Sequence, residues 1–162
     1  MRYIVLYSLF LLLFGCRSVD RQAVNSYVDS GKVSIQGSVS YKGSGLFPKK
    51  QTYWIRKIDG EPVKEPGHSK AFPLSPGVHS IVVGGFLFQG HMGEHETLVG
   101  EAALSLDGKA GHIYEVRGDV GAQQLAIYIF DITENRTATE PVKAAVHATT
   151  HNDPIFVPIP VL

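Results

Sequence analysis

Three residues in the segment 84–96 have side chains and a spacing that could do chemistry. His91, Glu94 and His95 match the letters H-x-x-E-H, which in some zinc peptidases place two histidines on one helical face with the glutamate as general base. Gly90 and Gly93 flank and interrupt these residues, between two strand-like runs. Because the motif requires a helix, we expect no peptidase activity from it.

The same segment offers a simpler metal site, in which His91, Met92 and His95 bind copper or zinc from a flexible loop. Imidazole and thioether ligands suit these ions. The alternative, which we favour, is a solvated hairpin tip whose glycines allow the chain to turn; it predicts no metal and no cofactor. Ser44 lacks the strand-to-helix elbow of a hydrolase nucleophile, and the dispersed carboxylates form no acid–base pair. The sequence therefore predicts a protein that is not an enzyme.

The single cysteine, Cys16, ends an apolar run that follows the basic residue Arg2. A charged start, an apolar stretch and a small residue before the cut are the layout of an export signal. As a helix, residues 3–15 would reach about 20 Å, less than the roughly 30 Å hydrocarbon core of a bilayer. We therefore interpret residues 1–15 as a cleaved signal peptide rather than a permanent span.

The stretch Leu13-Phe14-Gly15-Cys16 resembles the lipobox of bacterial lipoproteins, in which Leu13 and Gly15 would be read by the processing enzymes. The resemblance implies that the Cys16 thiol carries a diacylglycerol and that its amine becomes the new N-terminus. Two or three acyl chains hold a protein stably at a membrane, whereas one holds it only marginally. Arg17 is not the aspartate that retains such proteins in the inner membrane of some Gram-negative bacteria. The resemblance thus implies an outer-membrane protein facing the periplasm, if the source has two membranes.

Charge and length restrict the function classes further. Removal of residues 1–15 takes away one basic group and leaves 14 Lys+Arg against 15 Asp+Glu. A nearly neutral protein lacks the basic surface that nucleic-acid binding requires. The mature length suits one modest core. Since the only cysteine is used for the anchor, we expect neither a disulfide nor a thiolate metal site.

Short apolar alternations separated by turn residues begin at Lys32 and predict an all-β fold. The expected strands cover residues 33–39, 51–58, 78–88, 97–106, 112–117 and 124–132. We expect a single antiparallel β-sandwich and no helix after residue 32. The predicted organisation is a signal peptide (1–15), a lipidated cysteine with a polar tether (16–31), the sandwich (32–133) and a tail with prolines (134–162). The apolar end of that tail packs either on its own domain or on a partner.

Three turn-and-strand motifs carry a second resemblance: Ile58-Asp59-Gly60, then Leu74-Ser75-Pro76-Gly77-Val78-His79-Ser80-Ile81-Val82-Val83, then Ala110-Gly111-His112-Ile113-Tyr114-Glu115-Val116. Their order resembles that of small bacterial envelope lipoproteins of unknown function, whose domain is similar to PEGA-type β-sandwich modules. The likeness covers about residues 51–132. It implies an immunoglobulin-like or transthyretin-like sandwich, no catalysis and no known ligand.

Aromatic and basic residues between positions 49 and 70 have two interpretations. Tyr53 and Trp54 lie among several lysines and Arg56, a composition that would suit sugar stacking or an anionic glycan. The plainer interpretation, which we favour, places Trp54 in the core and the charges on solvated strand faces. The predicted function is a membrane-anchored envelope lipoprotein with a structural or binding domain, whose partners are the membrane and an envelope protein or glycan. A metal-binding lipoprotein using the loop 84–96 is the alternative.

The anchor gives the first testable prediction. Cys16→Ser should abolish acylation, so that the chain partitions into the aqueous phase on detergent separation and loses the mass of its acyl groups. Phase partitioning and intact-mass spectrometry measure the two effects. An unchanged mature mass and unchanged partitioning would refute lipidation at Cys16.

Overall fold

The computed structural model describes residues 21–42, 49–91, 94–120 and 124–149. Within these ranges the chain forms one short helix, α1 (Arg21–Asp29), and is otherwise built of β-strands. The strands are β1 (Val33–Gln36), β2 (Ser38–Lys42), β3 (Lys49–Ile58), β4 (Glu61–Pro62), β5 (Ala71–Leu74), β6 (Gly77–His91), β7 (Glu94–Gly108), β8 (Ile113–Val120), β9 (Leu125–Asp131), β10 (Arg136–Thr137) and β11 (Val142–Thr149). The predicted all-β class is confirmed.

The strands form two sheets. The first sheet has the order β5-β1-β8-β9-β11, with β10 added to β9, and the second has the order β2-β3-β6-β7-β11, with β4 added to β3. All pairs are antiparallel except β1 with β8, which is parallel. The long ribbon of β6 and β7 pairs from Gly77 opposite Gly108 to His91 opposite Glu94.

Two strand crossings join the sheets. On one side β11 pairs with β9 through residues 142–144 and with β7 through residues 145–149. On the other side β1 and β2 are separated only by Gly37, where the chain passes from the first sheet to the second. A Cβ at Gly37 would lie 2.3 Å from the carbonyl oxygen of Tyr53, so this crossing requires glycine.

Local signals explain how the elements end. Asp59 and Gly60 both have positive φ, 51° and 84°, as a tight hairpin turn between β3 and β4 demands. Helix α1 is followed by Gly31, φ 71°, and the Gly31 and Lys32 amides donate to the carbonyls of Val28 and Tyr27. This is the glycine-terminated cap that satisfies the last carbonyls of a helix.

Tyr53 crosses the core between the two sheets. Its side chain is 1% exposed and is enclosed by glycines at both ends. A Cβ at Gly85 of β6 would lie 3.0 Å from its Cδ1, and a Cβ at Gly118 of β8 would lie 2.5 Å from its hydroxyl oxygen. Aliphatic side chains fill the rest of the core: Val33, Ile35, Ile55, Leu74, Ile81, Val83, Leu104, Leu106, Val116, Leu125, Ile127 and Ile129.

The structure differs from the sequence interpretation at both ends of the expected domain. The domain was expected to end at residue 133, yet β11 completes both sheets as far as Thr149. The segment 21–29, expected to belong to a polar tether, is the helix α1, whose Val24 is buried against the β-domain. The segment 124–132 is apolar at nearly every position, as is typical of a strand covered on both faces. The strand β9 alternates instead between buried and half-buried residues, so only one face lies in the core.

The glycine beside the Tyr53 hydroxyl gives a stability prediction. Gly118→Ala should lower the free energy of unfolding by about 1–3 kcal/mol, because the new methyl group overlaps the Tyr53 ring end and the Ala126 carbonyl oxygen, 2.8 Å away. Part of this loss should disappear in the Tyr53→Phe background, where the hydroxyl is gone. Chemical denaturation of the wild type, the two single variants and the double variant measures the coupling energy between residues 53 and 118. Gly67→Ala, at a site with no atom within 4 Å of the added Cβ, is the control; equal losses at Gly67 and Gly118 would contradict this account.

Candidate functional site

The sequence-predicted site residues fall into two groups. Cys16, Leu13, Gly15, Arg17 and Met92 lie outside the described residues, and their predicted roles stay predictions. His91 and His95 lie on the facing strands β6 and β7, where His91 is opposite Glu94 and His95 is opposite Gly90. The H-x-x-E-H letters therefore lie on a β-ribbon, not on the single helical face that a zinc peptidase uses. The structure describes only the backbone of His91 and His95.

Tyr53 and Trp54 do not form a joint stacking surface. Successive strand residues point to opposite faces, so Tyr53 enters the core while Trp54 lies on the outer face of the second sheet. There its indole covers Gly84, where a Cβ would lie 2.7 Å from the ring, and meets Phe86 with ring centroids 5.9 Å apart. Arg56, further along the strand, is held by Glu101 at 2.6 Å.

A groove of about 220 Å³ lies at the lateral edge where β2 and β8 face each other. Among the described residues β2 pairs only with β3, and β8 beyond Glu115 pairs only with β9. The strand edges therefore do not join here; the Ser38 hydroxyl spans them by donating to the carbonyl of Val116. The groove is lined by Ser38, Val39, Ser40, Tyr53, Glu115, Arg117, Gly118, Asp119 and Tyr128.

The floor of the groove is a buried hydrogen-bonded cluster. Gln51 is 2% exposed, and its Oε1 accepts from the Ser40 hydroxyl at 3.3 Å and from the Tyr53 hydroxyl at 3.4 Å. Burial raises the pKa of the Tyr53 hydroxyl, and the nearby Asp119 and Tyr128 raise that pKa further. The phenol thus keeps its proton and serves as a hydrogen-bond donor at the groove floor.

The rim of the groove carries charges of both signs. Arg117 lies over the Phe130 ring at 3.7 Å and donates to Glu115 at 2.7 Å, so its guanidinium is held in place. Asp119 is exposed and Tyr128 is half-buried, and the register sets Tyr128 opposite Arg117. The groove therefore combines carboxylate acceptors, a fixed guanidinium donor, hydroxyls that both donate and accept, and an aromatic ring.

Two histidine–aspartate pairs lie at the turns where β3, β6, β8 and β9 begin or end, away from the groove. His79, 9% exposed, places Nδ1 2.7 Å from Asp59 Oδ2 and Nε2 2.8 Å from the Ser75 carbonyl oxygen. Since both ring nitrogens face acceptors, the imidazolium form satisfies both. Burial lowers the pKa of His79, but the Asp59 and Ser75 hydrogen bonds outweigh burial and leave this pKa raised.

The second pair belongs to a larger charged network. His112 Nδ1 lies 2.8 Å from Oδ2 of Asp131, and Oδ1 of Asp131 accepts from the Glu134 amide at 3.0 Å. The Glu134 carboxylate also forms salt bridges with Lys109, at 2.7 Å, and with Arg136. These two cations lower the pKa of Glu134 to about 2, so its carboxylate is ionised throughout the physiological range.

Sequence reasoning missed both the groove and these pairs. In the sequence, His79 and His112 each lie in an alternating strand pattern and their aspartates are 20 and 19 residues away, so no local pattern pairs them. One feature of the groove is visible in the sequence: the charged residues Glu115, Arg117 and Asp119 alternate along one strand. Such alternation is typical of any solvated strand face, and only the folded structure places it beside β2.

The His79–Asp59 pair predicts a pH dependence of stability. A histidine whose pKa is raised by folding contributes stability that is complete below its pKa in the unfolded chain, about 6.5. This contribution is lost as the pH rises through its pKa in the folded protein. The lowered pKa of Asp59, held down first by His79 and then by the Ser80 amide, contributes above about pH 4 and is lost below that. The contribution of the pair is therefore greatest between about pH 4 and pH 6.5.

His79→Gln should accordingly cost most stability in that window and least above about pH 8. Denaturant unfolding of wild type and variant across pH 3–9 measures the difference, and Asp59→Asn should give the same profile. A difference that does not change with pH would show that folding shifts neither pKa, and would contradict this account.

Comparisons with known proteins give no relative from which a role could be carried over. No family model, curated protein or solved structure matches this chain. Among the described residues, no helix is long and apolar enough to cross a membrane.

Proposed function

We propose that this chain is a lipid-anchored protein of the bacterial cell envelope whose β-domain binds one saccharide residue of an envelope glycan in the β2–β8 groove, without catalysis. The anchor part follows from the export signal and from Leu13-Phe14-Gly15-Cys16. We also infer a β-sandwich of the immunoglobulin-like or transthyretin-like kind. Two sheets joined at their sides, with one apolar core, support that inference.

The observation that carries the binding proposal is the pairing of a fixed arginine with carboxylates and hydroxyls in one concavity. Sugar hydroxyls donate and accept hydrogen bonds at once, so their site needs both kinds of partner. Arg117 donates, Glu115 and Asp119 accept, and Ser40 and Tyr128 do either. Because the Glu115–Arg117 pair is already formed, less side-chain entropy is lost on binding.

Size and charge narrow the ligand class. Pockets for drug-sized ligands span roughly 300–1,000 Å³, whereas this groove measures about 220 Å³, which suits a single ring of a polymer. Two carboxylates against one guanidinium disfavour phosphorylated or other strongly anionic ligands. An uncharged, hydroxyl-rich saccharide is the ligand class that fits, with purified peptidoglycan as the first probe and lipopolysaccharide as the anionic contrast.

The alternative function, a metal-binding lipoprotein using the loop 84–96, stays a prediction. Apart from residues 92 and 93, which lie outside the described residues, the end of β6 and the start of β7 form that segment. The groove provides the stronger case because its lining brings carboxylates, a guanidinium and hydroxyls together in one concavity.

Two matched arginine variants test the groove. Arg117→Ala should weaken retention on purified peptidoglycan about tenfold or more, because it removes a charge-assisted donor from the groove. Arg56→Ala is the control: this arginine is also partly buried and held by a glutamate, at 2.6 Å, but lies on the outer face of the second sheet. Sedimentation of the full-length detergent-solubilised chain with the polymer measures retention.

Retention on peptidoglycan that falls for Arg117→Ala and not for Arg56→Ala supports binding in the groove. Retention of the Asp119→Asn variant should fall as well. Retention no greater than that of an unrelated neutral protein, or equal losses for both arginine variants, would overturn the saccharide proposal. Stronger capture on lipopolysaccharide than on peptidoglycan would also contradict the uncharged ligand class.

A further inference from the structure

The turn end of the first sheet brings together three side chains that can bind a metal ion. One nitrogen of His112 and one carboxylate oxygen each of Asp131 and Glu134 lie within 4.8 Å of one another. Ligand atoms of a tetrahedral zinc ion with bonds of 2.0–2.2 Å are about 3.4 Å apart. Small side-chain rotations would bring this group to that spacing.

Asp131 provides a reason for a cation at this place. Its side chain is 2% exposed. In the part of the chain that the structure describes, its carboxylate contacts the His112 ring and the Glu134 amide, neither of them a lysine or an arginine. Removal of a carboxylate from water is costly unless a positive charge or a metal compensates it. A divalent ion between Asp131 and His112 would supply that compensation from the solvent side.

A neighbouring aromatic ring limits the orientation of the His112 side chain. The Tyr114 ring lies beside the imidazole at 6.1 Å between centroids and is itself held by the Lys109 amide, which donates to its hydroxyl at 3.1 Å. Less side-chain entropy is therefore lost when the imidazole binds an ion. His79 has a similar aspartate partner at 2.7 Å, but belongs to no such three-ligand group among the described residues.

One neighbour competes with an ion for the site. Lys109 Nζ lies 2.7 Å from Glu134 Oε1, the oxygen that faces the His112 ring at 3.9 Å. Arg136 binds the other oxygen, Oε2, and can stay there while Oε1 changes partner. Lys109 and a metal ion would therefore compete for Oε1 of Glu134.

We infer that His112, Asp131 and Glu134 form a binding site for one divalent transition-metal ion of the zinc type, with Lys109 as its internal competitor. An imidazole nitrogen with two carboxylate oxygens suits zinc. Three protein ligands leave a fourth position open to water or to a group from another molecule. This site is separate from the groove and from the segment 84–96.

Zinc titration of the full-length chain tests the inference. The background is Cys16→Ser, so that the only thiol does not bind the ion, and calorimetry gives the stoichiometry. We expect one saturable Zn²⁺, weakened at least about tenfold by His112→Gln and by Glu134→Gln. His79→Gln and the double variant His91→Ala/His95→Ala are the controls and should leave the affinity unchanged.

Removal of the Lys109 ammonium gives a variant whose affinity for zinc should rise. Lys109→Met should tighten Zn²⁺ binding several-fold, since Glu134 Oε1 is then free for the ion, and this gain should vanish in the Lys109→Met/Glu134→Gln double variant. Circular dichroism confirms that each variant keeps its strands. Absence of saturable binding in both wild type and Lys109→Met, or binding lost with His91 and His95 instead of His112, would overturn the site.

Discussion

The contact of Tyr53 with Gly85 and Gly118 is the constraint on which the rest of the structure depends. The Tyr53 ring spans the core because the strands facing its two ends carry glycine at the points of contact. A Cβ at Gly85 would lie 3.0 Å from the ring, and a Cβ at Gly118 would lie 2.5 Å from the hydroxyl oxygen, which is too close for either to fit without a shift. The ring sets how closely β3, β6 and β8 approach each other. Its hydroxyl then emerges beneath the β2–β8 edge, where Gln51 and Ser40 complete a polar cluster. Core packing and groove chemistry thus depend on a single side chain.

The groove is a consequence of how the sheets are joined. Strand β1 pairs with β8 only as far as Glu115, because at Gly37 the chain turns away and continues as β2 in the other sheet. This departure leaves the second half of β8 and the outer edge of β2 facing each other without ladder hydrogen bonds. Unpaired strand edges invite association with other chains unless polar and charged side chains protect them. Ser38, Glu115, Arg117 and Asp119 provide that protection, and the same residues line the proposed ligand groove.

How far the sequence predicts this molecule depends on whether a feature is local. Strands such as β3, β6 and β7 are predictable because apolar alternation and the Asp59-Gly60 turn are signals within a few residues. Strand β11 was missed because the stretch Val142–Thr149 consists largely of small and polar residues; its place is set by hydrogen bonds to β7 and β9, which no local pattern encodes. The helix α1 is longer than the single helical turn that the polar segment 17–31 suggests, since the burial of Val24 comes from packing on β1 and β5. The groove and the His112 network combine residues from distant strands, and only the register brings them together.

The proposed anchor also limits where the ligand can be. Five peptide steps separate Cys16 from Arg21, the first residue of α1, and a fully extended chain spans at most about 3.6 Å per residue. Under the anchoring proposal the start of α1 therefore lies within about 18 Å of the lipid attachment point. Since α1 packs on β1 and β5, such an anchor would hold the β-domain near the bilayer. A polymer bound in the proposed groove would then have to approach the membrane surface closely, which a glycan layer tethered next to the bilayer does and a distant extracellular ligand does not.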